Sequence, residues 1–113
     1  MENIFGLFEK IQQEPGLYLG KPSVTALRHF LAGYKFARQE MCITPTETEL
    51  DFYHEFQPWL QNHFQLQSPN PWDQILLFEY LDEASAFANF FKLLTLFRQR
   101  DRQHKANSFK VVL

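Results

Sequence analysis

"SPNPWDQILLFEYL", residues 68–81, is the stretch on which the fold turns. Its centre, Ile75-Leu76-Leu77-Phe78, is a continuous apolar run too short for periodicity to separate a buried strand from a buried helix. The residues before it decide. Asn70 is a helix-capping type, Pro71 suits a first helical position because its missing N–H would lack a partner there, and Asp73 puts negative charge in the first turn. The stretch predicts a helix, and with it an all-α fold.

Working outward, Asp82 opens the clearest helical pattern in the chain, with Phe87, Phe90, Phe91, Leu94 and Phe97 on one side. Arg98 and Arg100 follow in its last turn, where positive charge is favourable. The end, "SFKVVL" (108–113), reads as a short extended strand or a docked tail. On the other side, Thr44-Pro45-Thr46-Glu47 announces a helix, and Thr46 with Glu49 offers a capping box one register later. Leu50, Tyr53, Phe56, Leu60 and Phe64 then form its expected apolar stripe, and Pro58 predicts a kink or a split.

Ser23 caps an earlier helix carrying Val24, Leu27, Phe30, Leu31, Tyr34 and Met41; Gly33 within it predicts the close approach of another backbone. A first helix has Ile4, Leu7, Phe8 and Ile11 on one face, and Pro15-Gly16 stops it. The expected architecture is one domain over 1–113, a compact bundle of about five helices with Pro-rich turns.

A chain of 113 residues, 45% apolar and 21% charged, buries about two thirds of its unfolded surface and needs no disulfide to hold a core. The single cysteine, Cys42, lies between Met41 and Ile43, which predicts a buried, inert thiol and a reducing compartment. The beginning, "MENIFGLFEK", lacks the basic and apolar regions of a secretion signal, and no window of 18 apolar residues occurs, so a cytoplasmic protein is expected. The thirteen phenylalanines predict an aromatic core, with any surplus serving an interface such as a homodimer.

"EPGLYLGKPSVTALRHFLAGYKFA", residues 14–37, has the look of a ligand loop. A Walker loop requires G-x-x-x-x-G-K-[ST]; here Gly16 and Gly20 are four apart and Pro22 separates Lys21 from Ser23. "EPGLYLG" also resembles the "RPGMYIG" segment of the ATPase domain of type II DNA topoisomerases. The following "ALRHFLAGYKFA" has no Glu, Asp or Asn to activate water or hold magnesium, so that chemistry is missing. Tyr18, Leu19, Gly20, Ser23, Leu27, Phe30, Gly33 and Tyr34 resemble a pattern in small uncharacterised bacterial proteins, some of them similar to immunity proteins of toxin systems. By the residues themselves, Gly16 and Gly20 are expected to form a tight turn with positive φ, with Tyr18 packed across it.

Catalytic patterns are missing. His29, His54, His63 and His104 are scattered, with no H-E-x-x-H spacing, and there is no G-x-S-x-G elbow. Asp82-Glu83 at a helix start has a sufficient role against the helix dipole. No enzyme, metal or cofactor is expected.

Charge is distributed unevenly. Residues 41–91 carry eight acids and no Lys or Arg, whereas residues 92–113 carry six basic side chains and one acid. If these segments do not interleave, Glu47, Glu49, Asp51 and Glu55 form an acidic surface that steers a basic protein partner, an immunity-type inhibitor being the concrete case. If they do, the basic last helix neutralises its acidic neighbours. The alternative is nucleic-acid binding through Arg98, Arg100, Arg102 and Lys105. Overall acidity and the interruption by Asp101 weigh against it.

Overall fold

The computed structural model describes the backbone of residues 3–112 and the side chains of residues 3–100. These residues form six helices and no strand: α1 (Ile4–Gln13), α2 (Pro15–Leu19), α3 (Val24–Glu40), α4 (Glu47–His63), α5 (Trp72–Tyr80) and α6 (Glu83–Val112). The deciding stretch is helical, as its flanks predict. The cap sits one residue later than expected: extended Pro71 (φ −64°, ψ 159°), not Asn70, precedes the first turn, and its carbonyl accepts from Gln74 and Ile75 N–H. Leu81, left-handed at φ 73°, ends the helix.

Other expectations are corrected. The sixth helix is α2: Pro15 both terminates α1 and occupies the first position of a new short helix. Gly16 is therefore helical, and Gly20 alone (φ 80°) uses a glycine's freedom, donating its N–H back to the Gly16 carbonyl. Tyr18 does pack beside this turn, edge-on to Phe30 at 6.3 Å. Of the kink or split expected at Pro58, the split does not occur, since α4 runs unbroken through it; Pro58 and His54 both lie on the exposed side, where water can solvate the carbonyl that proline leaves without a donor. The backbone of residues 108–112 continues α6, so the extended segment expected there is replaced by intrahelical hydrogen bonding.

The core is an aromatic column. Phe8, Phe56, Phe90 and Phe97 are almost fully buried; Phe56 meets Phe90 at 5.6 Å, Phe97 at 5.4 Å and Trp72 at 5.8 Å, all edge-to-face. Phe8 closes the same column against Phe52 at 5.3 Å and Phe90 at 5.4 Å. Each such pair adds about 0.5–1.5 kcal/mol beyond the area buried. Among the described residues eight phenylalanines are buried and Phe36 and Phe78 are exposed, so core filling accounts for most of the aromatic excess. The α6 stripe matches expectation, whereas in α4 the buried positions are Glu49, Phe52, Phe56 and Leu60, with Leu50 exposed.

Two carboxylates tie helix starts together across long sequence distances. Glu49 is completely buried: its Oε2 accepts the Ile4 N–H of α1 at 2.9 Å, while Oε1 accepts Thr46 N–H at 2.9 Å and pairs with Arg38 of α3 at 3.4 Å. The Thr46–Glu49 capping box is thus formed, and it also caps α1. Glu83, at the start of α6, accepts Ser23 Oγ and Thr25 N–H at 3.0 Å each and Thr25 Oγ at 2.7 Å, anchoring the start of α3. Burial alone would raise the Glu83 carboxyl. The hydrogen bonds from Thr25 and Ser23, with Lys21 nearby, outweigh it and hold the group below the usual carboxylate range.

Cys42 is exposed and left-handed (φ 57°), not buried, because α3 ends before it and its N–H turns back to the Gln39 carbonyl. Gly33 lies on the outer side of α3, and a Cβ there would meet nothing within 4 Å among the described residues, so none of their backbones approaches it.

Candidate functional site

The charged segments interleave. Of the four acids expected on one surface, Glu49 is inside the protein and Asp51 is half-buried in an ion pair with Arg100 of α6 at 2.8 Å; only Glu47 and Glu55 are exposed. The single acidic surface is therefore corrected. It is dismantled because α3 and α6 bring Arg38 and Arg100 against α4.

The basic helix is engaged too. The Arg98 guanidinium lies 3.9 Å from the Phe5 ring centre, and that of Arg100 lies 3.8 Å from Phe97 while also donating to the Phe97 carbonyl. The side chains of Arg102 and Lys105 lie outside the described residues. Among the described residues no three His, Cys, Asp or Glu stand together as a metal site, and His63 stacks on Trp59 at 5.1 Å.

A different feature emerges where α3, α4 and α5 meet. An open cleft of about 470 Å³ is bounded by Arg28, Lys35 and Gln39 on α3, Tyr53 and Gln57 on α4, and Trp72 on α5. Leu31 and Phe52 supply apolar wall, and Phe36, 62% exposed, stands at its edge. Among the described residues no carboxylate lines it. Its volume lies within the range of small-ligand and side-chain pockets, roughly 300–1,000 Å³.

Each wall is held for a stated reason. Arg28, Lys35 and Gln39 lie seven and four residues apart, the spacing that brings side chains to one helix face. Lys35 Nζ lies 4.6 Å from the Tyr53 ring centre, a cation–π contact that keeps the ammonium over the cleft. Gln57 donates to the Asn70 carbonyl at 2.7 Å, fastening the loop that delivers Trp72. Burial, with Glu49 and Tyr34 adding to it against the opposing pull of Arg38, pushes the Tyr53 phenol up to about 12. It remains a hydrogen-bond donor through the neutral range.

Behind Arg28 stands Asp73, in the first turn of α5 and only 4% exposed. Its Oδ1 receives no hydrogen bond from the described residues, and Arg28 Nη1 is 3.9 Å away, an ion pair without a hydrogen bond. The sequence reading used Asp73 only as a helix-start charge and left Arg28, Lys35, Tyr53 and Trp72 out of any site. The α3 spacing was visible as a signal; the walls from α4 and α5 were not.

Comparison of the chain with protein-family models, with curated proteins and with solved structures finds no match.

Proposed function

We propose that this protein is a small helical interaction module that docks another protein on the face formed by α3, α4 and α5. The observation that carries the proposal is the cleft: two cations, two amides, a phenol and an indole gathered with no nucleophile–base pair among them. Arg and Tyr are among the side chains that most often anchor protein interfaces, and Phe36 adds exposed apolar area beside them. An immunity-type inhibitor, in which a small chain occludes a larger one, is the concrete form of this reading. Its docking surface is the cleft rather than the acids of α4, since Glu49 is buried and Asp51 is paired with Arg100.

The test is a tagged pull-down from the native host at low salt, eluted in salt steps after nuclease treatment, with wild type and the Arg28→Glu/Lys35→Glu double variant run side by side. A protein retained by wild type and lost by the folded double variant supports docking at the cleft. Equal retention by both removes the cleft as the docking face.

A further inference from the structure

We infer that the cleft between α3, α4 and α5 recognises carboxylates, and that its occupant is an extended acidic peptide segment carrying an apolar side chain between two acids. The inference rests on the docking reading above and adds the chemistry of what is docked.

The charges point one way. Arg28 and Lys35 line the cleft, and among the described residues no Asp or Glu does. A guanidinium presents a planar fork of N–H donors that matches a carboxylate in bidentate fashion, a match an ammonium lacks. The surroundings keep that fork available. Asp73 attracts Arg28 from 3.9 Å, close enough to orient the guanidinium and too far to take a hydrogen bond from it. Asp73 cannot itself be the recognition surface, being only 4% exposed. Lys35 is held by the Tyr53 ring, and a cation–π contact leaves ammonium protons to donate elsewhere.

Spacing selects an extended segment. Seven residues along α3 separate Arg28 from Lys35, about 10 Å at 1.5 Å per residue. About three residues of extended chain cover that distance, so acids three positions apart reach both cations. Between them on α3 lie Leu31 and Ala32, Phe52 and Trp72 back the wall, and Phe36, one residue past Lys35, adds exposed apolar area, a setting suited to one aliphatic or aromatic side chain. A nucleic-acid strand fits less well. Two cations neutralise only two phosphates, which leaves little counterion release to favour a longer polyanion.

The experiment titrates the full-length chain, at low and moderate salt, with a fluorescently labelled capped peptide of sequence Glu-Phe-Leu-Glu. Its Gln-Phe-Leu-Gln counterpart, inorganic phosphate and a single-stranded oligonucleotide are run as competitors. The acidic peptide is expected to bind, weaken with salt, and be displaced poorly by the glutamine peptide, phosphate or oligonucleotide. Arg28→Ala and Lys35→Ala are each expected to lower affinity about tenfold, the size of one lost charge-assisted hydrogen bond. Arg28→Lys should lose nearly as much, because it keeps charge and loses the fork. Both side chains are solvent-accessible, and unchanged helicity by circular dichroism confirms that the variants fold.

Equal binding of the glutamine peptide overturns the inference, as does an Arg28→Ala variant that folds and binds normally. Displacement of the peptide by phosphate or oligonucleotide at comparable concentration also overturns it, in favour of a phosphate site. Should the acidic peptide fail while the pull-down still depends on Arg28 and Lys35, the carboxylate inference falls and the docking reading stands; if neither depends on them, both fall.

Discussion

Glu49 and Asp73 are both carboxylates withdrawn from water, and their surroundings differ in kind. At the junction of α1, α3 and α4, each oxygen of Glu49 has a partner: Ile4 N–H on one side, Thr46 N–H and Arg38 on the other. At the edge of the cleft, Asp73 has one oxygen without a hydrogen bond from the described residues and a half-exposed arginine at 3.9 Å. A buried acid whose oxygens are all occupied holds a structure together. One that only attracts a cation leaves that cation able to act on something else. The first region is a knot; the second is a poised surface.

The contrast breaks most visibly at Glu49. Glu49→Ala should cost about 3–5 kcal/mol, because it removes a buried ion pair with Arg38 and leaves the Ile4 and Thr46 N–H groups without their acceptor. Urea unfolding monitored by circular dichroism measures this, and a loss below 1 kcal/mol would reduce the knot to ordinary capping. Glu83→Gln should cost less, about 1–2 kcal/mol, since part of the site is open to water and an amide retains one acceptor.

The Glu83 effect has a pH signature. Its folded carboxyl lies below the ordinary value of 4.5, so its contribution is fully present above that value and disappears as pH falls through the lower folded value. The acid limb of a stability–pH curve should therefore be shallower in Glu83→Gln than in wild type, and parallel limbs would contradict the assignment.

Asp73→Asn should cost only about 1 kcal/mol or less, because it removes a helix-start charge and a loose ion pair but no hydrogen bond. Its larger consequence should be a change in the salt dependence of cleft binding, as Arg28 loses its orienting charge. If Asp73→Asn destabilises as much as Glu49→Ala, the two regions are alike and the contrast fails. The smallest effect sits at Tyr53. Its phenol is raised to about 12 from 10.0, so the folded state resists deprotonation and stability is lost as pH rises between those values. Tyr53→Phe should fall off less steeply from pH 10 to 12, and ultraviolet titration should lose its latest-ionising tyrosine.

Much of the fold was legible because helix starts are local. The Thr46–Glu49 box, the Ser23 cap and the Asp82 start each involve residues within three positions, and each is formed. The aromatic face of α6 was legible because five large apolar side chains there share one phase. The buried face of α4 was misphased: Phe52 and Tyr53 are adjacent aromatics, and only docking against Phe8 and Phe90 shows that Phe52 is the inner one. Cys42 was misread for a related reason. Apolar neighbours in sequence suggest burial, but a left-handed turn after α3 sends that side chain outward.

The charge pattern marks the division most clearly. By itself the sequence determined that the chain is helical, where most helices begin, and which segments are acidic or basic, because capping and periodicity act over about four residues. Only the tertiary structure decided which charges meet. Glu49 reaches Ile4 across 45 positions, Asp51 reaches Arg100 across 49, and Arg28, Tyr53 and Trp72 share a cleft contributed by three helices. Such pairings depend on how helices dock. Docking is driven by the burial of aromatic faces, a force without direction that carries the charges to wherever the packed core places them.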